Sequence, residues 1–161
     1  MSELIKVGLA DYKTGKNPDS LITYGLGSCI GIAVFDNRTK VGGLAHIMLP
    51  DSSQSRATEN PAKFADRCLP LMIDELLKKG ATKSGMQAKI AGGAQMFSLN
   101  KATDIMQIGK RNEESVRETL KKLGIPIVSS DTGGNYGRTV ELSLEDGKFK
   151  IKTINKGEKE I

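Results

Sequence analysis

The chain has 161 residues, the length of one domain able to bury a core without disulfides or metals, and a single domain spanning 1–161 is expected. Hydrophobic residues make up 38%, no apolar run approaches the roughly eighteen residues that cross a bilayer, and the N-terminal stretch lacks a long apolar segment. A soluble, cytoplasmic protein without direct membrane insertion is therefore expected. The excess of 24 Lys+Arg over 19 Asp+Glu carries no nucleic-acid signature, because Trp is absent, aromatics are only 4%, and the basic residues are not gathered on one face. Two cysteines are too few for a disulfide-built secreted domain, so both thiols are expected to be reduced.

In chain order, apolar runs bounded by Gly, Pro, Asn or Asp predict strands over residues 4–9, 21–24, 30–35 and 41–48. Asp36-Asn37-Arg38-Thr39 suits a tight turn, so the third and fourth runs form a β-hairpin. The polar stretch over 51–60 reads as a surface loop. Asn60 then caps a helix opening at Pro61 and carrying Phe64, Cys68, Met72 and Leu76 on one face as far as Gly80, with Pro70 predicting a kink or a split. A strand over 86–91 precedes a second helix, capped by Asn112, with Val116, Leu120 and Leu123 as its buried stripe and Gly124 and Pro126 at its end.

Strands over 125–129, 138–144 and 148–154 complete the chain, the last two joined as a hairpin through Glu145-Asp146-Gly147. The segment Lys148-Phe149-Lys150-Ile151-Lys152 alternates charged and apolar residues like a strand with one solvated face. Many strands with two substantial helices give an α+β, layered (α/β layered) fold. Its mixed, largely antiparallel sheet or β-sandwich is flanked by the two helices.

The chemistry concentrates in the first hairpin. Thr23-Tyr24-Gly25-Leu26-Gly27-Ser28-Cys29 sets a thiol after two glycines where a loop becomes a strand. Gly27 and Ser28 support a loop that can aim backbone N–H groups, that of Cys29 included, at a developing oxyanion. A cysteine at a strand start is also an ordinary small core residue, and so is the lone His46 in Leu44-Ala45-His46-Ile47-Met48. With Asn37 and Arg38 as the two turn residues, Asp36 pairs with Thr39 and the constant sum of partner numbers puts Cys29 directly opposite His46. A thiol there can give its proton to the imidazole. Thr23 is a candidate for orienting that ring. Cys68, on the apolar helical stripe, is read as core. With one His and two Cys there is no convincing zinc site, and no metal or cofactor is expected. Met96 and Phe97, beside Gly92-Gly93, suit a docking surface for a partner helix.

The strings Thr23 to Cys29 and Gly42-Gly43-Leu44-Ala45-His46-Ile47-Met48-Leu49-Pro50 resemble the CheD family of chemoreceptor glutamine deamidases. So do Gly92-Gly93-Ala94-Gln95-Met96-Phe97, Ile108-Gly109-Lys110-Arg111-Asn112 and Asp131-Thr132-Gly133-Gly134-Asn135-Tyr136-Gly137-Arg138. The resemblance implies a site of Thr23, Cys29 and His46 that converts glutamine to glutamate on the helical cytoplasmic region of methyl-accepting chemotaxis proteins. It also implies a fold similar to bacterial deamidating toxins, a CheC-type phosphatase as partner, and contact of Phe97 with a receptor or phosphatase helix. The competing class is a non-catalytic adaptor that binds such a helix. A glutamyl methylesterase or cysteine protease would keep the site and change the bond.

Overall fold

The computed structural model describes residues 2–53, 59–95, 107–154 and 156–161. Among them, ten strands form two five-stranded sheets. The strands are β1 (Leu4–Lys6), β2 (Asp11–Lys16), β3 (Ser20–Leu26), β4 (Ile30–Asp36), β5 (Val41–Ile47), β6 (Met86–Gly92), β7 (Ile127–Thr132), β8 (Arg138–Ser143), β9 (Phe149–Thr153) and β10 (Gly157–Glu160). One sheet has the order β1-β3-β8-β9-β10 and the other β2-β5-β4-β6-β7. Only β1 with β3 and β6 with β7 pair in parallel. Helices α1 (Ala65–Lys78) and α2 (Ile108–Lys122) complete the described elements together with two short 3-10 turns. No described helix is long and apolar enough to cross a membrane.

The burial patterns say which face each strand turns inward. β8 alternates, with Arg138, Val140 and Leu142 in and the residues between them half-exposed, because its sheet is covered on one side only. β4 is buried at every position. Its Ile30, Ile32 and Val34 pack with Leu69, Met72, Leu76 and Val116 of the helices, while Ala33 and Phe35 pack with Leu26, Val140, Leu142 and Phe149 of the other sheet. The molecule is thus layered sheet, sheet, helices, as the sequence predicts. Gly42 and Gly43 permit the close spacing on either side of β5. A Cβ at Gly42 would lie 2.6 Å from Leu144 Cδ2, and one at Gly43 2.9 Å from Met72 Sδ.

Several local expectations are corrected. The first hairpin has a four-residue loop, so Asp36 pairs with Val41 rather than Thr39. The Asp36 carboxylate enforces this by accepting from Arg38 N–H at 2.9 Å, Thr39 Oγ1 at 2.9 Å and Thr82 N–H at 2.7 Å. The first helical region breaks at Phe64, not at Pro70, which lies inside α1. Asn60 does cap a turn, its Oδ1 accepting from Ala62 N–H at 3.1 Å. Phe64 is then held extended because Met48 and Leu49 N–H donate to Lys63 O and Ala65 N–H donates to Leu49 O. Asn112 is not a cap, since α2 begins four residues before it. Strands β2 and β10 escape the sequence reading, the second because Gly157–Glu160 is exposed throughout and has no apolar pattern to find.

Candidate active site

Thr23 and His46 face each other from opposite sheets. Thr23, only 1% exposed on β3, donates its hydroxyl proton to Val7 O at 2.8 Å. The hydroxyl has one proton, so the oxygen can meet His46 Nδ1, 2.7 Å away, only as acceptor. Nδ1 therefore carries hydrogen and Nε2 carries the lone pair. That Nε2 is buried and has no hydrogen-bond partner among the described residues. Burial drives the His46 pKa down to about 4, so the ring is neutral at physiological pH.

The corrected register moves the partner of His46 from Cys29 to Gly31. A shift of two keeps side chains on the same face where a shift of one would reverse them. Cys29, just before β4, becomes the diagonal neighbour of His46, a relation with Cα separations of about 7–8 Å and shorter Cβ separations. Gly31 puts no side chain between them. The half-buried Cys29 packs against the cluster between the sheets, the side toward which His46 also points. Burial pushes its thiol above the ordinary cysteine pKa, with its own backbone N–H acting in the opposite sense. The resting pair is accordingly thiol and neutral imidazole.

Three successive carbonyls hold the loop. Gly27 O accepts from Ala94 N–H at 2.9 Å, Ser28 O from Asn112 Nδ2 at 2.9 Å, and Cys29 O from Gly93 N–H at 2.9 Å. No hydrogen bond leads from Ser28 N–H or Cys29 N–H to another described residue. The loop thus presents donors whose carbonyls are tied down behind them. Gly92, at φ +113°, is required for the approach, because a Cβ there would stand 2.3 Å from Cys29 O.

Behind Gly92 lies an ion pair that sequence reasoning missed. Arg138, its side chain wholly buried, places Nε 3.1 Å from Asp131 Oδ2 and Nη1 3.4 Å from Gly92 O. Lys159 Nζ lies 2.8 Å from the other Asp131 oxygen. Burial alone would raise the Asp131 pKa, but the hydrogen bonds from Lys159 and Arg138 outweigh it and hold the carboxyl below its usual value. Asn112 was missed as well, although its position four residues before Val116 sets it on the buried stripe of α2. Cys68 lies in the core between helices and sheet, its pKa pushed up to about 12 by burial. Met96 and Phe97 lie outside the described residues.

Comparison with known proteins adds a family. A model described as CheD chemotactic sensory transduction matches residues 48–153, a span that begins just after His46. Proteins named "Probable chemoreceptor glutamine deamidase CheD" match across nearly the whole chain, Thr23 to His46 included. One from Clostridium botulinum (strain Hall) is 52% identical over 157 residues, 98% of this chain and 97% of its own. Another from Clostridium novyi is 52% identical over 153 residues, 95% of this chain and 94% of its own. Among solved structures, Bacillus licheniformis hypothetical protein YfiH aligns with a TM-score of 0.52 at 14% identity, over 78% of this chain and 51% of that one. This chain thus spans about half the length of YfiH. Neisseria meningitidis protein NMB0706 (DUF152) aligns with a TM-score of 0.51 at 11% identity, over 83% of this chain and 65% of that one. At such identities the likeness is one of fold.

Proposed function

Because the chain belongs to the CheD family of chemotactic sensory transduction, we propose that it is a chemoreceptor glutamine deamidase with Cys29 as nucleophile, His46 as base and Thr23 as the group that orients His46. The observation that carries this reading is the Thr23–His46 contact. It leaves one buried imidazole lone pair unpartnered on the side of the sandwich where the half-buried Cys29 packs. The names of the relatives supply the bond, a glutamine carboxamide.

In the proposed reaction Cys29 Sγ attacks the carboxamide carbon while His46 Nε2 takes the thiol proton. The oxygen of the tetrahedral adduct is met by the Cys29 N–H, which donates to no other described residue, with Ser28 N–H beside it. Collapse breaks the C–N bond, and the imidazolium returns its proton to the departing ammonia. Water then attacks the thioester, losing a proton to His46, and the thiolate leaves and is reprotonated. The balance is glutamine plus water to glutamate plus ammonia, with thiol and imidazole restored. The transient imidazolium keeps its Nδ1–H on Thr23 throughout, so the ring need not turn. On the same reading the substrate is the helical cytoplasmic region of methyl-accepting chemotaxis proteins, and a CheC-type phosphatase competes for the cleft.

Mass spectrometry of receptor peptides incubated with the wild type and with Cys29→Ala tests the assignment. Conversion of glutamine to glutamate should vanish in the variant. Undiminished conversion would assign the chemistry elsewhere, and intact glutamine with the wild type would leave a non-catalytic adaptor.

A further inference from the structure

Asn112 is a polar residue with no exposed surface, in the second turn of α2. Its Nδ2 donates to two carbonyls, Ser28 O at 2.9 Å and Met48 O at 2.9 Å. Both partners can only accept, so the orientation of the amide is fixed and both its protons are used. One carbonyl precedes the nucleophile and the other follows His46 by two residues. One amide therefore ties the Cys29 loop to the end of the His46 strand.

The Ser28–Cys29 peptide is trans, as the one cis bond among the described residues is at Asn17-Pro18. In a trans peptide the C=O and the following N–H point in opposite directions. Holding Ser28 O therefore sets the direction of Cys29 N–H. One turn earlier, Gly109 lets α2 press on the same region, since a Cβ there would lie 2.5 Å from both Gly93 O and Ala94 O. Those two residues donate to Cys29 O and Gly27 O.

We propose that Asn112 is a positioning residue for amide hydrolysis, which fixes the peptide plane before the nucleophile and so aims Cys29 N–H at the oxygen of the reacting carboxamide. The inference rests on the reading of Cys29 as nucleophile. Asn112 itself touches no substrate. Its Nδ2 is committed to those two carbonyls, and its buried Oδ1 has no partner among the described residues.

Asn112→Ala and Asn112→Leu test it with two reactions at one sulfur. Deamidation builds an oxyanion, whereas alkylation by iodoacetamide displaces iodide and builds none. The kcat for a receptor peptide should fall about ten- to a hundredfold, less than the about 10²- to 10³-fold for deleting an oxyanion donor outright. KM should stay within about threefold, and the Cys29 alkylation rate should be unchanged. An unchanged kcat, or alkylation falling by the same factor as kcat, would overturn the proposal. Should the variants not fold, the wild type decides by NMR with a peptide bearing an aldehyde in place of the glutamine carboxamide. The Cys29 amide proton should move downfield on adduct formation while the Asn112 side-chain protons stay protected from exchange. An unmoved Cys29 amide proton, or freely exchanging Asn112 protons, would overturn it. Failure of the nucleophile reading shows separately, as activity surviving in Cys29→Ala.

Discussion

The Thr23 hydroxyl and the His46 ring meet across the gap between the two sheets, 2.7 Å apart, with the hydroxyl proton already given to Val7 O. This arrangement fixes the tautomer of a ring whose burial keeps it neutral. In the proposed site the threonine would do what a carboxylate does in other triads, without adding a negative charge to a desolvated site.

Replacing Thr23 by Val keeps the shape and removes both hydrogen bonds. Nδ1–H and Val7 O would be left buried and unpaired, at a cost of about 1–3 kcal/mol for each such group. Deamidation should fall at least about tenfold as the ring loses its preferred tautomer, while Thr23→Ser should restore most of both properties. Urea unfolding beside an ammonia-release assay checks this, and a Val variant as active as the wild type would exclude Thr23 from the site.

The neutral burial of His46 makes stability depend on pH with a definite sign. Its pKa is about 4 when folded, against an ordinary 6.5. Between these values the unfolded chain binds the extra proton, so the contribution is complete above about pH 6.5 and is lost as pH falls toward 4. Its size is on the order of 3 kcal/mol. Unfolding at a series of pH values should show His46→Gln lacking this part of the slope, and equal slopes in both proteins would contradict the burial argument.

The two thiols should separate cleanly on labelling. Cys29 is half-buried with a raised pKa, and Cys68 is fully buried with a pKa near 12. Iodoacetamide should label Cys29 alone in folded protein, more slowly at pH 7 than a free thiol, with a rate rising about tenfold per pH unit below its pKa. A rate already level at pH 7 would instead indicate a resting thiolate and an ion pair with His46.

The Arg138–Asp131 pair braces Gly92 and hence the Cys29 loop. Arg138→Met leaves a carboxylate only 12% exposed with Lys159 alone, which should cost about 3–5 kcal/mol. Lys159→Met, at a side chain 58% exposed, should cost less than about 1 kcal/mol. Denaturant midpoints of the two variants test this asymmetry, and comparable losses would contradict it.

The layers of the fold were legible from apolar runs alone. Ile30, Ile32 and Val34 alternate with Ala33 and Phe35 because both faces of β4 are covered. β2 and β10 lie at sheet edges and carry no such run, so pairing and not composition makes them strands.

At the site, the sequence by itself supplied the candidates that the proposed reaction uses, Thr23, Cys29 and His46. A unique histidine, a cysteine framed by glycines and a threonine six residues upstream are all local features, and the hairpin confined Cys29 and His46 to one face. The register was decided by tertiary contacts, because the Asp36 carboxylate reaches Thr82 as well as Arg38 and Thr39 and so selects the longer loop. The same holds for Asn112, which lies inside α2 and not at its cap, and for Arg138, whose partners Asp131 and Gly92 lie on the other sheet. Apolar periodicity reports which face of an element is buried, whereas a buried polar group is defined by the atoms that satisfy it. For Thr23, Asn112 and Arg138 those atoms are on other elements, and only folding brings them within hydrogen-bond reach.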